Sequence, residues 1–220
     1  MLLLLNNHDS FTWNLAELLR SIGSDPFTVI SSSEFRLPMI DSFDRIIFSP
    51  GPGLPEEQPA MFEILEESSR FKVQGLGFKV QGSGFKVQGS GFKVQGSRFK
   101  VPAILGVCLG MQAIAVHFGG SLINLPAVVH GQPRKLQILK PEHPLFKGIP
   151  DGSEVGLYHS WAVDPATLPE CLEILAVTAE GIIMALAHKT LPICGVQFHP
   201  ESIMTKEGKR MMGNWMKDTG

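Results

Sequence analysis

The chain has 220 residues, of which 44% are hydrophobic, enough to bury the core of one globular domain and few for two. Its 19 basic and 21 acidic residues are spread along the sequence and leave a formal net charge of -2, so no basic surface suited to nucleic acid or to a membrane is indicated. We therefore expect a single domain over residues 1–220, with neither nucleic acid nor a membrane as a partner.

The start of the chain and the cysteine content bear on the cellular compartment. The apolar run from Leu2 to Leu5 is too short for a signal peptide or a membrane span, and it meets a polar residue at once in Asn6. The chain has 3 cysteines, an odd number that favours free thiols in a reducing compartment. We expect a cytoplasmic protein.

In the first half, short apolar runs alternate with helical patterns. Strands are predicted at 2–5, 27–30, 45–48 and 103–107, and helices at 12–22, 61–67 and 111–118. Strands that alternate with helices in this way are typical of a parallel sheet. The predicted fold class is α/β, with a doubly wound, mostly parallel sheet flanked by helices, as in flavodoxin-like proteins.

The second half has shorter segments with more alternation between apolar and polar residues. Strands are predicted at 135–139, 154–157, 172–178, 182–188 and 193–198, and a last helix at 206–216. Alternation is typical of antiparallel strands that have one solvated face. These segments predict an antiparallel extension of the sheet, followed by a return to its parallel part.

A tandem repeat of seven residues interrupts this plan. The sequence Phe-Lys-Val-Gln-Gly starts at 71, 78, 85 and 92. Its glycines disfavour a helical heptad, whereas Phe and Val two positions apart share one face of an extended chain, as in short strands or hairpins. Because removal of residues 71–98 leaves an ordinary connection between a helix and a strand, we interpret 71–98 as an insertion in a surface loop, at the N-terminal edge of the sheet. The alternative is a dedicated role in binding or assembly.

A candidate nucleophile lies between a buried strand and a helix. Cys108 follows the predicted strand at 103–107, and Gly106 and Gly110 stand two positions to either side of it. This is the pattern of a nucleophile elbow, with cysteine in place of serine. The flanking glycines permit a tight reversal, and the N-terminus of the following helix favours a thiolate. The alternative is a cysteine that is simply buried in the core.

The candidate base lies at the end of the last predicted strand. His199 and Glu201 are two residues apart, so in an extended backbone both side chains project to the same side. The carboxylate can then orient the imidazole and stabilise it when it is protonated. Cys108, His199 and Glu201 are thus predicted to form a catalytic triad.

Backbone amides are the candidate donors for an oxyanion. The segment Pro50-Gly51-Pro52-Gly53 follows a predicted strand, at the end where open α/β sheets place their sites. A rigid loop with glycine amides can approach a substrate closely. We expect the amides near Gly53 and of Leu109, the residue after the nucleophile, to form the oxyanion hole.

Together these motifs resemble the class I, triad-type glutamine amidotransferases, and among them the small glutaminase subunit (component II) of anthranilate synthase and aminodeoxychorismate synthase. The resemblance is carried by the segments 7–15, 49–53, 106–112, 129–131, 158–160 and 195–202, which span nearly the whole chain outside the repeat.

The resemblance implies a substrate, a partner and a set of binding residues. The substrate is L-glutamine, and the ammonia released passes to a chorismate-using synthase large subunit in folate or tryptophan biosynthesis. The glutaminase needs no metal or organic cofactor, and any magnesium requirement belongs to the partner synthase. Glutamine is held by Gly51, Pro52, Gly53, Gln112, and the main chain around Ser160 and Trp161.

Two positions depart from the family pattern, and two other classes of function remain open. Trp161 stands where relatives often carry leucine, and Gln132-Pro133 replaces Lys-Ser or Lys-Thr in a segment that relatives use for signalling to the synthase. The alternatives are another Cys-His hydrolase on the same fold, such as a peptidase or a γ-glutamyl hydrolase, and a catalytically silent scaffold for the synthase. The Gly-Pro loop and Gln112 disfavour the first, and the intact triad disfavours the second.

Overall fold

A computed structural model describes residues 1–24, 26–75 and 101–218, with the backbone alone described at 71–75 and 126–130. The strands in chain order are β1 (Leu2–Asn6), β2 (Phe27–Ser31), β3 (Arg45–Phe48), β4 (Ala103–Val107), β5 (Leu122–Lys135), β6 (Gln137–Ile138), β7 (Glu154–Val163), β8 (Leu172–Val177), β9 (Ile183–His188) and β10 (Ile193–Val196). The α-helices are α1 (Phe11–Ser21), α2 (Pro59–Gly75), α3 (Leu109–His117) and α4 (Gly208–Lys217).

The main sheet within these residues has eight strands in the order β2-β1-β3-β4-β10-β9-β8-β6. The first five are parallel, in the flavodoxin-like order, and the last three are joined to them and to each other by antiparallel pairing. The predicted fold class is confirmed. After the antiparallel strands, the chain returns to the parallel part of the sheet as predicted, because β10 pairs in parallel with β4.

Strand β7 corrects the sequence prediction. Residues 154–157 were expected in the antiparallel extension of the main sheet, but β7 runs to Val163 and pairs with β5 in a separate two-stranded sheet. The predicted strand at 135–139 is divided between the last residue of β5 and the short strand β6, and no strand was predicted for the rest of β5, where Pro126 and Pro133 interrupt the pattern. Two register shifts mark this ribbon, and such irregular pairing tolerates proline where a central strand does not.

The parallel strands are apolar on both faces because helices cover both faces of the sheet. In β1, Leu2 and Leu4 pack into the hydrophobic cluster on one face, and Leu3 and Leu5 pack into the cluster on the other. All four are buried. Each cluster contains residues from the helices that cover that face, which fixes the helix positions relative to the strand ends.

Helix α2 is longer than the sequence predicted. It continues to Gly75, so the first Phe-Lys-Val-Gln-Gly unit belongs to its last turns. Residues 76–98, with the other complete repeat units, lie outside the described residues, and the insertion at 71–98 stays a prediction. In the described segments of the chain, no helix is both long and apolar enough to cross a membrane.

The candidate site residues collect at one edge of the main sheet. Parallel strands direct their carboxyl ends to the same edge, and open α/β sheets carry their sites there. The loop at 49–53, Cys108 and residues 197–201 follow β3, β4 and β10, three neighbouring strands in the sheet. The fold therefore brings together groups that lie far apart in the sequence.

Candidate active site

Cys108 lies on a strained turn between β4 and α3. Its backbone has φ 53° and ψ -102°, outside the regular regions, which costs about 1–3 kcal/mol for a residue with a Cβ. The turn is held by a hydrogen bond from the Cys108 amide to the Val196 carbonyl at 2.8 Å. A Cβ atom at Gly106 would overlap the carbonyl group of Gly110. The two glycines therefore permit the close approach that the elbow requires.

His199 and Glu201 form a buried pair beside the elbow. Nδ1 of His199 lies 2.7 Å from Oε1 of Glu201, and the two side chains are 2% and 0% exposed. The rings of Phe11 and Tyr158 pack edge-on against the imidazole, with centroids 4.8 and 4.9 Å away. Because Glu201 occupies Nδ1, the nitrogen left for proton transfer is Nε2.

The surroundings of His199 determine its charge. Burial disfavours the imidazolium, but the adjacent Cys108 sulfur and Glu201 carboxylate more than offset this and raise the pKa of His199 to about 10. The ring is therefore protonated at neutral pH. A protonated imidazole next to the cysteine stabilises a thiolate and can later donate its proton to a leaving group.

The first part of the loop at residues 50–53 lies against the elbow at Cys108. A Cβ atom at Gly51 would lie 2.5 Å from a side-chain carbon of Leu109, so this loop residue and the residue after Cys108 are in close contact. Asn7 anchors the start of the loop, because its side-chain amide donates to the carbonyl of Ser49 at 2.9 Å. Gly53 lies at the exposed tip with φ +75°.

The remaining predicted binding residues belong to α3 and β7. Nε2 of Gln112 donates to the carbonyl oxygen of Trp161 at 2.9 Å. The same oxygen lies 2.8 Å from Nδ1 of His159, a buried residue. Burial lowers the pKa of His159, so this ring is neutral where that of His199 is charged. Ser160 lies between His159 and Trp161 on β7. The structure therefore brings Gln112 of α3 next to the predicted binding segment at Ser160 and Trp161.

Sequence reasoning missed three residues that the structure places in the site. Gln197 donates from Nε2 to the sulfur of Cys108 at 3.5 Å. Phe11 and Tyr158 pack against the ring of His199 and against each other. All three lie in the motif segments at 7–15, 158–160 and 195–202, but no local pattern assigns them these contacts. Among the described residues, no group of three or more His, Cys, Asp or Glu side chains is arranged to hold a metal ion.

Comparison with known proteins decides the family. Residues 3–77 and 89–219 match the family model described as glutamine amidotransferase class-I. The chain belongs to the class I glutamine amidotransferases. The unmatched residues 78–88 of this amidotransferase all fall within the tandem repeat.

Curated relatives of this amidotransferase carry the name of synthase components. It is 38% identical over 215 residues to a Haemophilus influenzae protein provisionally described as anthranilate synthase component II, covering 98% of this chain and 95% of the relative. It is 34% identical over 219 residues to the Bacillus subtilis aminodeoxychorismate/anthranilate synthase component 2, covering 99% of this chain and 96% of the relative.

The same fold is found among solved structures. A Thermoplasma acidophilum protein, provisionally described as part of a GMP synthase, superposes with a TM-score of 0.72, at 22% identity, over 98% of this amidotransferase and 91% of that chain. At this identity the likeness concerns the fold, which agrees with the α/β class predicted from the sequence.

Proposed function

We propose that this amidotransferase hydrolyses L-glutamine with Cys108 as nucleophile, His199 as general acid and base, and Glu201 as the group that orients His199. The observation that carries the proposal is the strained elbow that places Cys108 beside the buried His199–Glu201 pair. A raised pKa of His199, to about 10, supports an imidazolium beside Cys108 at neutral pH.

In the first half of the reaction, the thiolate of Cys108 attacks the side-chain carboxamide carbon of glutamine. A C–S bond forms, and the carbonyl π electrons move to the oxygen. His199 then donates its Nε2 proton to the amide nitrogen, the C–N bond breaks, and ammonia leaves. The products of this step are a γ-glutamyl thioester and a neutral imidazole.

In the second half, His199 accepts a proton from water as the water oxygen attacks the thioester carbon. The tetrahedral intermediate collapses with cleavage of the C–S bond, which releases the product as a neutral γ-carboxylic acid and restores the thiolate beside a protonated imidazole. The acid then loses its proton to the released ammonia or to water and becomes glutamate. Atoms and charges balance without any further group, so the proposed half-reaction uses no cofactor.

Backbone amides would hold the oxyanion in both halves. The first amides of a helix have no intrahelical acceptor, so the Leu109 amide at the start of α3 is a candidate donor. The second is an amide of the loop at Gly51, Pro52 and Gly53, which contacts Leu109 through Gly51. In this proposal glutamine lies between that loop and the segment formed by Gln112, Ser160 and Trp161.

We further propose that the ammonia is delivered to a chorismate-using synthase subunit. The support is the names of the relatives, which are components of anthranilate synthase and of aminodeoxychorismate synthase. These names cover both tryptophan and folate precursors, so both partners are candidates. Magnesium, where it is needed, would serve the synthase subunit.

The test is a glutaminase assay of the isolated chain and of its mixtures with the large subunits of anthranilate synthase and aminodeoxychorismate synthase. We expect slow hydrolysis alone and a clear increase with the cognate subunit. In that complex, Cys108→Ser should abolish synthesis from glutamine and leave synthesis from ammonium salts, because only nitrogen delivery depends on the thiol.

Three results would contradict the proposal. Glutamine-dependent synthesis by Cys108→Ser would exclude the assigned nucleophile. Hydrolysis of γ-glutamyl peptides in preference to glutamine would favour a γ-glutamyl hydrolase. Binding to a synthase without any glutaminase activity would favour a scaffold.

A further inference from the structure

Two buried glutamines connect the backbone of β7 to the sulfur of Cys108. Gln112 donates from Nε2 to the Trp161 carbonyl at 2.9 Å and to Oε1 of Gln197 at 3.2 Å. Gln197 donates from its own Nε2 to Sγ of Cys108 at 3.5 Å. Gln112 is 3% exposed and Gln197 is 0% exposed. The chain of hydrogen bonds therefore lies inside the protein, on the inner side of the nucleophile.

The direction of these hydrogen bonds is fixed at the backbone end. A carbonyl oxygen can only accept, so the group of Gln112 that faces Trp161 must be its NH₂ group. The second hydrogen of that NH₂ group needs an acceptor, which is Oε1 of Gln197. The NH₂ group of Gln197 is thereby turned toward the sulfur. The orientation of an amide, which its shape alone leaves ambiguous, follows here from its partners.

We propose that Gln197 is a further catalytic residue, which donates an N–H to the thiolate of Cys108 and is held in that orientation by Gln112. The proposal rests on the role of Cys108 as nucleophile. A donor of fixed direction favours the anionic sulfur over the thiol, which has a hydrogen of its own. Gln197 transfers no proton, so its contribution is separate from those of His199 and Glu201, the ionisable pair beside the thiol.

This arrangement also assigns a role to the segment around Trp161. The Trp161 carbonyl receives hydrogen bonds from Gln112 and from Nδ1 of His159, which is neutral and therefore has a single N–H to donate. Residue 161 acts on the chain of hydrogen bonds through its backbone.

The reactivity of the thiol measures the proposal independently of glutamine hydrolysis. The probe is iodoacetamide, with the rate of alkylation of Cys108 followed by peptide mass spectrometry over a range of pH. Burial raises the pKa of Cys194 to about 12 and also raises that of Cys171, so these thiols react slowly and their peptides are distinguished by mass.

The main variant is Gln197→Met, which keeps the approximate volume and removes the donor. We expect alkylation of Cys108 at neutral pH to slow about tenfold, the pH of half-maximal reactivity to rise by about one unit, and kcat/KM for glutamine to fall about tenfold. The matched control is Gln137→Met on the exposed strand β6, which should leave all three unchanged. Urea unfolding of each variant shows whether the fold is kept.

A second variant serves if Gln197→Met does not fold. Gln197→Glu is isosteric and still accepts from Gln112, but a carboxylate oxygen would face the sulfur, so the expected slowing is greater than tenfold above the titration of that carboxyl. A folded variant of either kind with the wild-type alkylation profile and kcat/KM would overturn the proposal.

The proposed function can fail separately. If the wild-type chain hydrolyses no glutamine with any synthase subunit while alkylation still depends on Gln197, the glutaminase assignment is refuted and the role of Gln197 at the thiol is supported.

Discussion

Replacing Glu201 by glutamine removes one charge from the buried pair with His199 while keeping an acceptor for the Nδ1–H. Burial of His199 opposes its charge, yet Cys108 and Glu201 raise its pKa from 6.5 to about 10. A group that binds its proton more tightly in the folded state stabilises the fold. That contribution is complete below pH 6.5 and is lost as the pH rises to about 10.

The size of the effect follows from these two values. Each pH unit between them corresponds to about 1.4 kcal/mol, and both Cys108 and Glu201 contribute to the shift. Glu201 supplies part of this effect, so its removal should lower the free energy of unfolding by on the order of 1–3 kcal/mol where His199 is protonated in both proteins. Because His199 titrates alike in the two unfolded chains, the difference between wild type and Glu201→Gln should stay constant while the ring is protonated in both folded proteins. It should then shrink toward zero as the pH rises from the lower pKa of His199 in the variant to about 10.

The assay is urea unfolding of both proteins at several pH values in this interval, with ¹⁵N NMR of the His199 ring to observe its protonation directly. The matched control is Glu17→Gln on the surface of α1, where the carboxylate lies 3.2 Å from Arg20. Since arginine does not titrate in this interval, the control difference should not change with pH. A constant difference for Glu201→Gln, or a His199 ring with the same pKa in both proteins, would refute the assigned role of Glu201.

Two further predictions concern the elbow and the repeat. Gly106→Ala places a Cβ on the carbonyl of Gly110, so it should lower the free energy of unfolding by about 1–3 kcal/mol and reduce glutamine hydrolysis. The control is Gly213→Ala in α4, where nothing lies within 4 Å of the added Cβ and neither loss is expected. If Gly106→Ala were as stable as wild type in urea, the close contact at Gly106 would be contradicted. Deleting residues 71–98 should leave glutamine hydrolysis near wild type, because the deletion removes the last turns of α2 and residues that precede the start of β4, and that five-residue strand is roughly 17 Å long between its start and the end that carries Cys108. Loss of activity in a folded variant that still binds its synthase would show that the repeat contributes to the reaction.

Local signals were sufficient for the parallel half of the fold. The predicted strands at 45–48 and 103–107 coincide with β3 and β4 because each is a short apolar run bounded by turn-forming residues. The elbow at Cys108 was likewise readable, since a strained turn needs small neighbours and Gly106 and Gly110 supply them close by in the sequence. The pairing of His199 with Glu201 followed from their spacing in an extended backbone.

Contacts between distant segments needed the tertiary structure. The sequence marks Gln197 only as part of a buried run, and its direction toward Cys108 depends on Gln112 and on a carbonyl of β7, a strand in another sheet. The aromatic rings that hold His199 come from α1 and β7, which no local pattern places side by side.

The irregular ribbon of β5 and β7 was also beyond the sequence. Prolines weakened the strand signal of β5, and its pairing with β7 is stabilised by long-range contacts that override local preference. The sequence by itself predicted the elbow that carries Cys108 and the pairing of His199 with Glu201, because the backbone geometry of each is local. Only the tertiary structure decided which amides face the sulfur, because hydrogen-bond direction depends on partners brought together by folding.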